Sequence, residues 1–134
     1  MDTTRQQATV IWPTLRYRDA PAAVRFLVEA FGFEVVVSHP GATADVIEHA
    51  ELRWPGGGGV MLGTLRPDSS ISELPAGTGS VYVVVDDPDP IYERARAAGA
   101  RFARELGDEG YGSRGFTARD PEGVYWSFGT YGGA

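Results

Sequence analysis

The sequence predicts an α+β fold built from two tandem βαβββ modules, and three observations carry that prediction. The chain has 134 residues, of which 43% are apolar. That is close to the ~150 residues of one domain, so a single core is expected across 1–134. Eighteen glycines and nine prolines cut it into short segments, most of them strand-like and two helical. Asp19, Pro21, Val24, Ala30 and Gly32 recur as Asp86, Pro88, Ile91, Ala97 and Gly99, at a constant spacing of 67 residues. A repeated order at fixed spacing is the mark of an internal duplication. The modules are expected over about 8–65 and 79–131, with a linker over 66–78.

The elements follow in order. Ala8 to Tyr17 begins apolar and ends alternating, as a strand does. Asp19-Ala20-Pro21 starts a helix: the carboxylate caps free N–H groups, and proline fits the first turn. Val24, Leu27, Val28 and Phe31 then mark one helical face, and Gly32 is a suitable stop. Phe33 to Ser38 is a β-branched strand, His39 to Asp45 a loop, and Val46 to Trp54 a strand. Pro55 and Gly56 to Gly59 turn the chain into a strand over Val60 to Leu65. After the linker, Ser80 to Asp86 is a strand and Asp87-Pro88 caps a helix with Ile91, Ala95 and Ala98 on its apolar positions, ended by Gly99. Arg101 to Leu106, Arg114 to Arg119 and Val124 to Tyr131 complete the second module. Gly107 to Gly112 is a loop, and Asp120 to Gly123 a turn.

Composition excludes several classes. There is no cysteine, hence no disulfide, thiolate metal site or cysteine nucleophile. The 12 basic and 18 acidic residues give a net charge of −6, against nucleic-acid binding and docking on an anionic membrane. No apolar run reaches the ~20 residues of a membrane span, and Met1 to Gln7 lacks the apolar stretch of a signal peptide. A cytoplasmic protein is expected.

The stretches Leu15-Arg16-Tyr17-Arg18-Asp19, Phe31-Gly32-Phe33, His49-Ala50-Glu51-Leu52 and Val60-Met61-Leu62-Gly63 resemble the vicinal oxygen chelate superfamily. So do Tyr111-Gly112-Ser113-Arg114-Gly115-Phe116, Asp120-Pro121-Glu122-Gly123 and Trp126-Ser127-Phe128. That superfamily includes glyoxalase I, extradiol dioxygenases and fosfomycin- and bleomycin-resistance proteins. The likeness spans 8–131. It implies sheets curled into a cup that holds a ligand, and a homodimer that often builds each cup from both chains.

The metal-dependent members of such a family hold a divalent ion with four His, Gln or Glu side chains. The matching positions here are Trp12, Leu62, Ser80 and Ser127, which cannot form that set. Indole N–H has no lone pair to give, leucine has no ligand atom, and a neutral hydroxyl is a poor ligand. The resemblance therefore points to the bleomycin-resistance branch: no metal, no cofactor, and a bound small molecule. Trp12, Thr14, Arg16, Leu62, Ser80, Tyr82, Tyr125 and Ser127 are expected to line the cup, and Val10, Leu15, Tyr17, Val81, Val83, Trp126 and Phe128 to pack beneath the helices. Trp54 is expected at the rim. A cup of aromatic rings and hydroxyls suits a planar or aromatic ligand, such as a toxic antibiotic that the protein would sequester. The acidic surface would favour a cationic one.

Of the remaining features, two have more than one reading. His49 and Glu51, at i and i+2 of a strand, share a face as an acid–base pair of a lyase or isomerase or two legs of an unusual divalent metal site, or as a polar surface ion-paired with Arg53. His39 is expected in solvent. Arg114 either meets an anionic ligand group or pairs with Asp120 or Glu122. Asp86, Asp87 and Asp89 complement a helix N-terminus. Gly56 to Gly59 precedes a strand and is not a phosphate loop.

Overall fold

The computed structural model describes residues 9–110 and 112–133. Met1 to Ala8 and Tyr111, which figure in the sequence expectations, lie outside the described residues. The elements are β1 (Thr14–Tyr17), α1 (Ala20–Phe26), a wider π-helical turn (Leu27–Phe31), β2 (Glu34–Pro40), β3 (Ile47–Arg53) and β4 (Gly59–Thr64). Then come β5 (Ser80–Val84), α2 (Asp89–Ala97), β6 (Arg101–Asp108), β7 (Arg114–Arg119) and β8 (Tyr125–Gly129). They form two four-stranded mixed sheets of orders β1-β4-β3-β2 and β5-β8-β7-β6, here sheets A and B. In each, the outer pair, β1 with β4 and β5 with β8, is parallel and the rest antiparallel. The matching strand orders agree with the expected duplication.

Local chemistry explains the helices. The Asp19 carboxylate accepts from the Ala22 N–H at 3.1 Å, as a cap should. Gly32 ends the π-helical turn at φ 93°, a conformation in which a Cβ would be strained. The cap of α2 differs from the expectation. Pro88 occupies the N-cap, and the Asp87 carboxylate accepts from the Asp89 N–H. Ala95 is buried, whereas Ala98 is exposed.

Several strands depart from their expected limits: β5 and β8 each end two residues early, and β6 runs to Asp108, into the segment expected as a loop. The first strand begins at Thr14, because Pro13 brings no N–H to the ladder and only its carbonyl is used, by the Met61 N–H at 3.0 Å. Val10, expected in the core, is therefore on an exposed extended segment. His39 belongs to β2 and not to a loop: it lies opposite His49, with their rings 6.4 Å apart.

Both sheets turn one face into a shared core. Leu15, Tyr17, Leu52, Val60 and Leu62 come from sheet A, and Phe116, Ala118, Trp126 and Phe128 from sheet B. Phe31 and Phe33 join them, with ring centroids 5.8 and 5.4 Å from Trp126. Asp120, fully buried, accepts from the Tyr17 hydroxyl at 2.6 Å and from Trp126 Nε1 at 3.0 Å, tying the two halves together. Arg94 of α2 donates to the carbonyls of Glu29 and Val28. Since the covered faces look toward one another, the uncovered faces look away from the common core. No helix among the described residues is long and apolar enough to cross a membrane.

Candidate functional site

The open face of sheet A follows from register. Thr14 lies opposite Met61, Met61 opposite Glu51, and Glu51 opposite Val37. Arg16, opposite Gly63, shares that face; a Cβ on residue 63 would meet its guanidinium at 2.5 Å. Leu62 corrects the sequence expectation. It lies opposite Leu15 and Ala50 and is 2% exposed in the core, so Met61 takes the place on the open face. Adjacent strand residues point to opposite sides, and Val60-Met61-Leu62 is apolar throughout, so local alternation does not reveal which side is inner.

Trp12 lies just before β1, its indole N–H donating to the Thr9 carbonyl at 3.1 Å. With Glu51, Val36, Trp54 and the glycine turn it lines a cavity of about 330 Å³. His49 Nε2 and the Glu51 carboxylate are 2.8 Å apart. Arg53 does not join them; it pairs with Glu34 at 2.8 Å. Sheet A thus brings an indole, a carboxylate and an imidazole to one side. A planar ring could stack there, and the imidazole could exchange a proton with a bound group.

Sheet B presents two rows. One runs Ser80, Tyr125, Arg119, Arg101; the other Tyr82, Ser127, Thr117, Arg104. The Ser127 and Thr117 hydroxyls are bonded at 2.8 Å. Tyr82 lies against Gly129, where a Cβ would approach its hydroxyl to 2.6 Å, and that hydroxyl donates to the Tyr131 carbonyl. A second cavity of about 340 Å³ opens where Ile11 and Pro13 pass Phe33, Trp54, Val81 and Tyr82. Trp54 lines both cavities, in keeping with a rim position. Trp12 belongs to the first and Tyr82 to the second, so one chain does not gather Trp12, Tyr82 and Tyr125 around one space.

Arg114 is held by two acids other than those expected. Its guanidinium holds Asp89 at 2.8 and 3.0 Å and Asp108 at 3.1 Å, rather than Asp120 or Glu122. The hydrogen bond to Arg114 keeps the Asp89 carboxyl below the usual carboxylate range, and the two acids push the Arg114 guanidinium up. Glu122 instead accepts the Arg18 and Asp19 N–H groups at 2.7 Å.

The four positions matched to metal ligands do not fit a divalent ion. Trp12 Nε1 is a donor, Leu62 is in the core, and the Ser127 hydroxyl is engaged by Thr117. Among the described residues, no three of His, Asp and Glu are gathered to hold one. Met61, Thr117 and Arg119 are open-face residues that the sequence reading did not single out. The alternation in Phe116-Thr117-Ala118-Arg119 is the signal that could have found the last two.

Comparison with known proteins places this geometry. The family model described as the glyoxalase/bleomycin resistance protein/dioxygenase superfamily matches residues 9–128. An uncharacterized protein of Mycobacterium bovis is 34% identical over 123 residues, covering 87% of this chain and 80% of that protein. The crystal structure of TioX from Micromonospora sp. ML1 matches with a TM-score of 0.74 and 32% identity, covering 94% of this chain and 98% of that one. A glyoxalase/bleomycin resistance protein/dioxygenase from Nocardioides matches at a TM-score of 0.64 and 26% identity, over 98% of this chain and 89% of that one.

Proposed function

The chain belongs to the glyoxalase/bleomycin resistance protein/dioxygenase superfamily, and from that premise we propose that it binds a planar or aromatic small molecule without a metal and acts by sequestering it. The observation that carries this reading is the chemistry of the open faces. Trp12 stands beside Glu51 in one cavity, and Tyr82 and Tyr125 stand among the hydroxyls of Ser80, Ser127 and Thr117 on the other sheet. Rings supply stacking area and the few polar groups fix orientation. A net charge of −6 speeds the approach of a cationic compound. The functional unit is a homodimer, in which sheet A of one copy faces sheet B of the other and closes the cup that one chain leaves open. Such a protein would act in the cytoplasm and protect against a toxic compound.

The test is titration with proflavine, a planar cation, followed by tryptophan fluorescence. The expected result is saturable quenching that is unaffected by chelator and at least tenfold weaker in Trp12→Phe. Quenching unchanged in that variant, or dependent on added Zn²⁺ or Mn²⁺, would overturn the proposal. One observation favours a second reading: the 2.8 Å contact of His49 with Glu51. In a lyase or isomerase, Glu51 would orient the ring and His49 would take a proton from the substrate. Turnover lost in His49→Ala while proflavine binding persists would establish it.

A further inference from the structure

We infer that the open face of sheet B carries an oxyanion-binding site, centred on Arg119 and Arg101, for the carboxylate or phosphate group of an organic acid. This rests on the reading that the face takes a ligand, and it defines the chemistry of one end of that ligand.

Register builds the site. Ser80 lies opposite Tyr125, Tyr125 opposite Arg119, and Arg119 opposite Arg101, one row across all four strands. Residues directly opposite share a face, so two arginine side chains leave the sheet on the same side. Like charges in that position repel. Neither has an ion pair among the described residues, in a protein with 18 acidic side chains. The nearest acids are committed elsewhere. Asp120 is turned into the core, where Tyr17, Trp126 and backbone N–H groups occupy its carboxylate. Glu122 accepts from the backbone of Arg18 and Asp19.

Arg119 is held ready for a ligand. Its guanidinium lies over the Tyr125 ring, 5.0 Å from the centroid, a cation–π contact that holds it on this face. The turn lets it lie close because residue 123 is glycine: a Cβ there would be 2.8 Å from Arg119 Nη2. Its Nε is buried with no hydrogen-bond partner. An N–H removed from water without an acceptor is a cost that an anionic oxygen would recover. Arg101 gives one N–H to the Asp120 carbonyl at 3.1 Å and keeps its other donors. The planar fork of arginine matches a carboxylate or phosphate two bonds at a time. The hydroxyls of Ser80 and Tyr125 continue the row, placing polar groups and a ring next to the charge.

The experiment uses the full chain labelled with ¹⁵N, and benzoate, phenyl phosphate and neutral benzamide as probes. The expected result is a saturable shift of the Arg119 Nε–H resonance with benzoate, phenyl phosphate or both, and none with benzamide. Affinity by calorimetry falls at least tenfold in Arg119→Gln, less in Arg101→Gln, and is only partly regained in Arg119→Lys, which keeps the charge without the fork. The stronger of the two acids identifies the oxyanion. An unshifted Arg119 with both acids in the wild type, equal binding by Arg119→Gln, or equal binding of benzamide would overturn the proposal. So would a resonance that moves with protein concentration and ignores the probes, since a carboxylate of a second copy would then occupy the site. Proflavine quenching in the same samples separates the two readings. Quenching without any anion response removes this site alone; an anion response without quenching removes the planar-ligand reading alone.

Discussion

Asp120 is the residue on which the joining of the two halves turns. Its carboxylate accepts five hydrogen bonds: the Tyr17 hydroxyl, the Trp126 indole and the N–H groups of Glu122, Gly123 and Val124. Asp120→Asn removes the charge and sets a donor amide against this row of donors. A loss of about 3 kcal/mol in urea unfolding is expected, given the cost of unpaired buried polar groups. Tyr17 adds a pH signature. Burial first, and then the charge of Asp120, holds its phenol far above the usual tyrosine range. A raised folded-state value means that the stabilisation is complete below the unfolded value near 10 and is lost as pH rises above it. The unfolding free energy from urea titration should thus fall steeply above about pH 10, by up to ~1.4 kcal/mol per pH unit for one group. Tyr17→Phe should remove that extra slope. An unchanged alkaline limb in the variant would show that Tyr17 does not control it.

At the scale of the element, the pairing of β7 with α2 has the opposite sign. Asp89 opens α2 and holds Arg114 of β7, whose hydrogen bond lowers its carboxyl. A depressed value gives stabilisation that is present above the unfolded carboxylate value, near 3.9, and lost as pH falls through the folded one. Asp89→Asn should flatten the acid limb of near-ultraviolet circular dichroism and leave the neutral region almost unchanged. Among the elements, those with local causes were legible in the sequence. The Asp19 cap, the Gly32 stop and the repeat of strand order all follow from neighbouring residues. What was not legible depends on partners distant in sequence. His39 becomes a strand residue only because β3 lies beside it, and Leu62 turns inward because register sets it beside the buried Leu15 and Ala50. The candidate site divides in the same way. Alternation marked Ser80, Tyr82, Tyr125 and Ser127. The row joining Arg101 to Arg119 exists only once β6, β7 and β8 are in register.

For the whole molecule, the direction of the two open faces decides how a ligand could be enclosed. The shared core holds them turned outward, and apolar side chains stand in solvent on that side: Val10 at 86% exposure, Ile11 at 83%, Val84 at 52% and Tyr82 at 48%. Large exposed apolar surface of this kind marks a binding or association site. A second copy covering it would need to bury about 1,600 Å² in total for a stable pair. Sedimentation of the wild type at micromolar concentration should give a dimer. The double variant Ile11→Asp, Val84→Asp should sediment as a folded monomer, because each carboxylate would have to be desolvated to form the interface. If each cup is completed by both copies, the monomeric variant should also lose proflavine binding by at least tenfold, although neither Ile11 nor Val84 lines the cavity of Trp12 and Glu51. Full binding by that monomer would instead mean that the Trp12 cavity works alone, and that pairing of copies serves stability rather than recognition.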